Sequence, residues 1–538
     1  MGKLKKSSFL EGAFIATACI FISKILGIIY VIPFNKIIGE QGGALYGYAY
    51  NIYNIFLNIS SIGIPFAICK LASEYQALGE IDKKVRMYRL GMGIITVFSV
   101  LSFLICFIFA SPIATLIIGD IEGGNTISDV VFVIRCISFT LLIVPMLSIK
   151  RGYLQGHKYI SQPSISQVIE QIVRIIVILV GSAALVYIVK ADIKFAVGIS
   201  VLAAGIGGLA SYLYLSRTVS KNKTDLSLDI RPNDKSKDKE IIKAIIVCAV
   251  PYIIINIANT LYTTTDMILV LKTLPKLNFT GKETEFVSSV FTTWGTKFNA
   301  IITAVSTGLI VSLIPHIVSD YTKGETERVN TNFNKCLKMI ILIIAPLSLF
   351  ISLMADSFWT VFYGRNEMGA SIIKFSIIVT VFDCLYMVLN SAMQSLNRKQ
   401  IIYKSVLSGL AVNLVLDVPL MYLFSYLGLK AYHGAITATL LGFIVSNTLS
   451  LSYLKKHMNI SFKETLKTLP RAAVSLLVLI ILGVIANKVL PTDNPSRLVQ
   501  IINIAVSGIV CGGVYLIINL KELKTVLPEK LLKKLHLS

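Results

Sequence analysis

The residues of this chain with chemistry to offer are ionisable and amide groups set inside long apolar runs. A charge at mid-bilayer costs at least about 2.5–3.5 kcal/mol on insertion scales, so such a group faces a cavity or a partner. Lys24 falls near the middle of the first run, too deep for its ammonium to snorkel easily to an interface. Lys297 falls mid-run in Trp294-Gly-Thr-Lys297-Phe-Asn299. Two such cations suit an anionic substrate. Glu170 and Arg174, four apart, share a helix face and read as a self-neutralising structural pair or, alternatively, as an ion or proton site. Arg135 reads as the partner of a neighbouring helix. Asp266, Asp383 and Asp417 are lone acids within runs, each a structural hydrogen-bonding group or a site for a coupling cation. Lys70 closes its run, where snorkelling is the default.

The second run is unusually polar, with Tyr46, Tyr48, Tyr50, Asn51, Tyr53, Asn54 and Asn58. Asn51, Asn54 and Asn58 fall on a single helix face. Unsatisfied amides in lipid are costly, so that face meets water, substrate or another helix. Polar glue between helices is the plainer reading. Hydrogen bonds to the hydroxyls of a sugar-bearing substrate are the functional one.

Catalytic motifs are missing: there is no GxxxxGK[ST], no HExxH and no GxSxG. The five histidines form no ligand pair at helical spacing. The chain reads as a transporter rather than an enzyme, with no required cofactor, driven by the membrane potential or by a gradient such as that of a monovalent cation. Eight scattered cysteines read as small apolar residues, neither disulfides nor metal ligands.

The elements that must position these groups are membrane helices. Of 538 residues 55% are hydrophobic and 15% charged, against about 25% charged in soluble chains. A span needs roughly 20 apolar residues to cross about 30 Å of hydrocarbon. Fourteen runs qualify: 12–34, 43–69, 88–110, 129–149, 164–189, 194–216, 242–270, 286–314, 336–356, 369–394, 402–426, 431–454, 470–490 and 498–519. The first is too long for a signal-peptide core and no small-residue cleavage site follows, so it is expected to stay as a span. Pro65, Pro251, Pro346 and Pro419 fall in or beside spans and are expected to kink them. The fold class is therefore all-α, a polytopic membrane protein of about fourteen helices.

The net charge of +22 does not indicate nucleic acid, because the cations sit in short connectors. With the N-terminus inside, loops after even-numbered spans carry Lys83, Lys84 and Arg86, then Lys150, Arg151 and Lys158, and so on to the basic tail. The loop Gly119–Asp129 has acids and no Lys or Arg. The positive-inside rule puts both termini in the cytoplasm, consistent with an even span count.

Two echoes divide the chain. Pro65-Phe-Ala-Ile-Cys-Lys-Leu-Ala-Ser73-Glu74-Tyr75, then Gly79-Glu80, recurs as Pro315-His-Ile-Val-Ser319-Asp320-Tyr321, then Gly324-Glu325. Leu154-Gln155-Gly156-His157-Lys158 is echoed by Met393-Gln394-Ser395-Leu396-Asn397-Arg398-Lys399. An offset of about 240–250 residues, six spans, predicts two parallel pseudo-symmetric six-helix lobes. The expected division is 1–217, a polar cytoplasmic linker 218–240, 241–456, and 457–538 with two extra helices and a basic tail. Lys24 and Lys297, on equivalent pairs of spans, are expected to face each other across the lobe interface.

Ser23-Lys24-Ile-Leu-Gly27, Ile38-Gly39-Glu40-Gln-Gly-Gly-Ala-Leu-Tyr46 and Gly63-Ile-Pro65 resemble the polysaccharide-transporter branch of the multidrug/oligosaccharidyl-lipid/polysaccharide flippase superfamily. Arg151-Gly-Tyr-Leu-Gln155-Gly156-His, with Ser166-Gln167-Val-Ile-Glu170-Gln171-Ile-Val-Arg174, is similar to the Gram-positive MurJ-type lipid II flippases, to which stage V sporulation protein B proteins are related. The resemblance spans nearly the whole chain. It implies fourteen helices that alternate between inward- and outward-open states to move undecaprenyl-pyrophosphate-linked peptidoglycan precursor outward across the bacterial cytoplasmic membrane. It implies that Lys24 stands where the family's Ser-Arg-x-x-Gly motif has arginine, that Lys297 matches a basic residue of the eighth helix, and that both hold pyrophosphate. It further implies that the extra helices form a groove for the lipid tail, and that cell-wall synthases are the partners, with no signal for oligomeric state.

Two departures matter. Gram-negative members carry a further arginine in the first helix where Tyr30 stands nearby here, and their second-helix acid and arginine have no clear counterpart among Tyr46–Ser61. Lysine lacks the bidentate fork that suits phosphate. Another lipid-linked glycan, or a sporulation-specific role, stays open as the alternative. A cation-coupled drug exporter fits less well, because the deepest charges of spans one and eight are basic. A membrane scaffold would need neither paired lobes nor intramembrane charges.

Overall fold

The computed structural model describes residues 19, 22, 23, 26, 27, 29–58, 63–119, 124–157, 159–230 and 237–526. These are predominantly helical, joined by short turns, with no strand among them. They fall into two compact units, Met1–Thr293 and Trp294–Ser538.

In the first unit, helix α1 (Val31–Asn58) is broken at Gly39, whose backbone leaves the helix at φ 66°, ψ −167°. Its two limbs end the first expected span and carry the polar face of the second. Helix α2 (Ile64–Ala77) opens with Pro65 in its first turn, where a missing N–H costs nothing. Helices α3 (Ile81–Ile108) and α4 (Ala110–Ile118) follow. A capping box of Thr126 and Asp129 starts α5 (Ile127–Ser138), which passes through a 3₁₀ turn into α6 (Val144–Gly156). Helix α7 (Ser161–Ile176) widens into π turns at Val177–Gly181 and Ala184–Ile188. Helices α8 (Ile193–Lys221), α9 (Asp238–Thr273) and α10 (Gly281–Ser289) complete the unit. Its core gathers Ile68 and Leu71 of α2, Met87 of α3, Leu147 and Tyr153 of α6, Leu215 of α8 and Ile241 of α9.

Helix α6 packs against α2 because Gly152 and Gly156 remove the side chains that would hold them apart. A Cβ on Gly156 would lie 2.7 Å from the Cys69 carbonyl oxygen. The spacing is the small-xxx-small pattern by which membrane helices approach closely.

The second unit holds α11 (Thr296–Thr322) and α12 (Thr326–Met339), which runs through a π turn into α13 (Ala345–Leu353). Then come α14 (Ala355–Tyr363), α15 (Glu367–Ser395), α16 (Lys399–Tyr426), α17 (Tyr432–His457), α18 (Lys463–Val489) and α19 (Arg497–Val526). Pro346 sits in the first turn of α13 and Pro419 lies inside α16. Leu479 of α18 and Tyr515 of α19 pack on Leu349 and Leu353 of α13, and the Tyr515 hydroxyl donates to the Leu342 carbonyl at 3.1 Å.

Most expected spans reappear with ends moved by a few residues: 402–426 is Lys399–Tyr426 and 369–394 is Glu367–Ser395. Ten described helices have the length and hydropathy of a membrane span. That establishes a multi-pass membrane protein without reaching the expected fourteen. The run 12–34 lies mostly outside the described residues, and residues 59–62, within the second expected span, also lie outside them.

The echo in sequence is an echo in backbone. Gly79 and Gly324 take φ 73° and 74°, a region open mainly to glycine. The next residues, Glu80 and Glu325, share φ/ψ near −80°/67°: −81°/65° and −79°/69°. Their N–H groups bond back to Tyr75 and Asp320 carbonyls, each at 2.9 Å. Glu80 pairs with Lys83 and Glu325 with Arg328, one helical turn on. The short helices α4 and α14, each of nine residues, end alike on Gly119 and Gly364 with positive φ. The expected spans 88–110 and 336–356 end at the first residue or two of these helices, so the rest of each falls in an expected connector.

Candidate functional site

The polar groups of the first unit form three clusters. Ser166, Glu170 and Arg174 repeat at four-residue intervals, so α7 presents them along one face. The Arg151 guanidinium of α6 meets the lower part of that face: Nη2 donates to Glu170 Oε2 at 2.8 Å and to Ser211 Oγ at 3.0 Å, and Nε donates to Ser166 Oγ at 2.8 Å. Glu170 is thus neutralised by Arg151.

Arg174 turns elsewhere. Its Nη2 donates to the Tyr46 hydroxyl at 3.2 Å, and its Cζ lies 5.1 Å from the Tyr50 ring centroid, a cation–π distance. The Tyr46 and Tyr50 rings are 4.4 Å apart, and Tyr53 meets Tyr50 edge to face at 5.7 Å. The two residues read as a self-neutralising pair therefore engage different partners. Spacing puts them on one face, but which neighbour meets each turn depends on where α6 and α1 cross α7.

Arg151 and its neighbour Lys150, read as loop cations, are a correction of the same kind. Helix α6 runs on to Gly156 and carries both inside. Lys150 donates to Ser216 Oγ at 2.6 Å and sits 4.1 Å over the Tyr212 ring. Lys84, read likewise, is fully buried and donates to Gln76 Oε1 at 2.6 Å.

The third cluster centres on Glu285 of α10, which is fully buried. Its Oε1 accepts the Asn125 backbone N–H at 2.9 Å and Asn125 Nδ2 at 3.0 Å, and the Tyr48 hydroxyl lies at 3.5 Å. Asn125 Nδ2 also reaches the Gln41 carbonyl at 3.0 Å. Burial pushes the Glu285 carboxyl above the ordinary range, while the Asn125 donors pull it down. Sequence reading passed over it because it lies one residue before an expected span.

The other expected residues are placed as follows. Lys24 lies outside the described residues. Gly27, closing its motif, is described: a Cβ there would lie 3.5 Å from Gln171 Nε2 on α7. Asn51 is buried and donates to the Gly47 carbonyl of its own helix at 2.9 Å. Asn58 bonds the Asn256 carbonyl at 3.2 Å and the Thr260 hydroxyl, both on α9, which is helix-to-helix glue. Asn54 is half-buried between them. Arg135 is exposed, with its Cζ 5.3 Å from the Phe107 ring of α3. Lys70 is exposed and Asp266 half-buried.

In the second unit Lys297 is half-buried in the first turn of α11, beside Phe298, whose ring lies 5.0 Å from that of Phe362. Asp383 is half-buried on α15. Asp417 is fully buried on α16, one turn beyond Asn413, whose Nδ2 donates to Thr439 Oγ1 of α17 at 3.1 Å. No group of three His, Cys, Asp or Glu gathers among the described residues.

Comparison with known proteins agrees with this picture. Residues 9–306 match the model of the family described as polysaccharide biosynthesis protein, and residues 251–419 match the MatE model. The chain is 31% identical over 526 residues to the lipid II flippase MurJ of Bacillus subtilis (strain 168), covering 95% of this chain and 94% of that protein. It is 28% identical over 221 residues to the stage V sporulation protein B of the same organism, 41% of each chain. Its fold is similar to a solved structure of lipid II flippase MurJ in an inward closed conformation, with a TM-score of 0.65 at 14% identity over 94% of this chain and 99% of that one.

Proposed function

Since the chain belongs to the polysaccharide biosynthesis protein family and, within it, to the MurJ lipid II flippases, we propose that it moves undecaprenyl-pyrophosphate-linked peptidoglycan precursor from the inner to the outer leaflet by alternating access. The observation that carries this reading is the identity with a lipid II flippase along nearly the whole length. Lys24 and Lys297 hold the pyrophosphate, since low dielectric strengthens an ammonium–phosphate contact. Asn54 and the tyrosines of α1 take sugar or peptide groups, with Asn51 and Asn58 shaping the same face.

Two lobes, 1–217 and 241–456, joined by 218–240, carry the movement, and 457–538 takes the lipid tail. The chain lies in the bacterial cytoplasmic membrane with both termini inside and delivers its cargo to cell-wall synthases. Its work is transport without covalent change to the lipid. No cofactor is needed. The membrane potential or a monovalent cation supplies the drive, and the hard oxygens of Asp417, Asn413 and Thr439 suit such a cation.

The test is complementation of a flippase-depleted strain. Lys24→Ala and Lys297→Ala are each expected to abolish growth, and normal growth with both changes together overturns the assignment. The partial match to a sporulation protein supports a second reading, a flippase for a different lipid-linked glycan. The precursor that accumulates on depletion separates the two.

A further inference from the structure

Two arginines reach the face of α7, and their surroundings differ in kind. Arg151 is fully provided for: a carboxylate cancels its charge and two hydroxyls take further N–H groups. Arg174 forms no ion pair with a carboxylate among the described residues. It meets the hydroxyl of Tyr46 and the ring of Tyr50, and Tyr30, just before α1, lies within its electrostatic reach. These groups soften the cost of a partly buried guanidinium but leave its charge in place. Its Nε–H is buried with no hydrogen-bond partner. A protein-made staple seldom leaves such a donor idle beside an uncancelled charge, since a buried unsatisfied group is a net cost. The missing partner is an acceptor, and the uncancelled charge makes it an anion.

The site also lies in the right neighbourhood. Gln171, one turn before Arg174 on the same face of α7, abuts Gly27 at the end of the Ser23–Gly27 motif. A planar fork of N–H donors matches phosphate oxygens bidentately, which neither Lys24 nor Lys297 offers.

Resting on the flippase reading, we propose that Arg174 is a substrate-binding residue that grips a phosphate oxygen of the lipid-linked diphosphate, with Tyr46 and Tyr50 holding the guanidinium in position. It supplies from the fifth span the forked donor missing from the first two.

The experiment uses the full chain in phosphatidylcholine nanodiscs, with lipid II, undecaprenyl monophosphate and phosphatidylglycerol as probes, for wild type, Arg174→Lys and Arg174→Gln. Arg174→Lys keeps the charge and loses the fork. It is expected to weaken lipid II binding about tenfold at an unchanged melting temperature, and to narrow the preference for diphosphate over monophosphate. Arg174→Gln is expected to lose more, and if it does not fold, Arg174→Lys decides alone. Lipid II affinity within about twofold of wild type in Arg174→Lys overturns the inference and leaves Arg174 a structural cation. So does phosphatidylglycerol competing as well as lipid II, which would make the anion a bulk phospholipid. Wild-type protein that ignores lipid II overturns the flippase reading instead.

Discussion

The Arg151 guanidinium and the Glu170 carboxylate meet at 2.8 Å with side chains only 14% and 20% exposed. This ion pair ties α6 to α7, and Ser211 of α8 joins it. Removing one member strands the other's charge in a helix bundle. Glu170→Gln is expected to lower stability by about 3–5 kcal/mol, and Arg151→Met with Glu170→Met together to recover most of the loss. Thermal melting of the purified variants measures both, and an unshifted melt in Glu170→Gln refutes the claim.

Gly156 tests the contact between α6 and α2. Its missing side chain leaves room for the Cys69 carbonyl and Ala72, and its own carbonyl accepts Ser73 Oγ at 2.8 Å. Gly156→Ala is expected to destabilise by about 1–3 kcal/mol, because backbone must move. Gly93, inside α3, has nothing within 4 Å of where a Cβ would sit. Gly93→Ala is therefore expected to be neutral or to stabilise by up to about 1 kcal/mol. Equal melting temperatures for the two variants would contradict the packing argument.

Glu285 predicts a pH dependence. Its helix α10 lies outside the ten apolar spans, and burial raises its folded-state pKa above the ordinary 4.5. Below 4.5 its contribution to stability is fully present. As pH rises through the raised pKa the buried group must ionise at a cost, and that contribution is lost. Wild type is expected to lose stability across this window while Glu285→Gln stays flat. Parallel pH profiles for the two would sink the prediction.

Asp417 tests the coupling. If a monovalent cation sits with Asp417, Asn413 and Thr439, replacing sodium by choline should slow lipid II movement in proteoliposomes of wild type and leave Asp417→Asn, already slow, unaffected. Ion replacement that changes neither protein points to the membrane potential as the sole drive.

Much of the architecture was legible in the residues. Apolar runs of sufficient length read as α16 and α17 within a few residues, because span length follows from bilayer thickness and needs no tertiary information. The Gly-Glu echo was legible as well, because a left-handed turn just before a helix demands glycine, at Gly79 and again at Gly324. For Asn58 the sequence leaves helix glue and substrate contact equally open, and its bonds to Asn256 and Thr260 supply the partner that an amide in lipid must find.

The partners were not legible. Glu170 and Arg174 are four apart, and local geometry alone offers each to the other. Helix α6 brings Arg151 to the first, and the tyrosines of α1 take the second. Lys84, Lys150 and Arg151 look like loop cations in sequence and are helix residues in space. Glu285 looks like a connector acid and is buried against Asn125 and Tyr48. Hydropathy and charge bias are sums over neighbours in the chain, so they set which segments enter the membrane. Whether a charge there is cancelled or left to meet a substrate depends on which distant helix faces it, and only packing decides that.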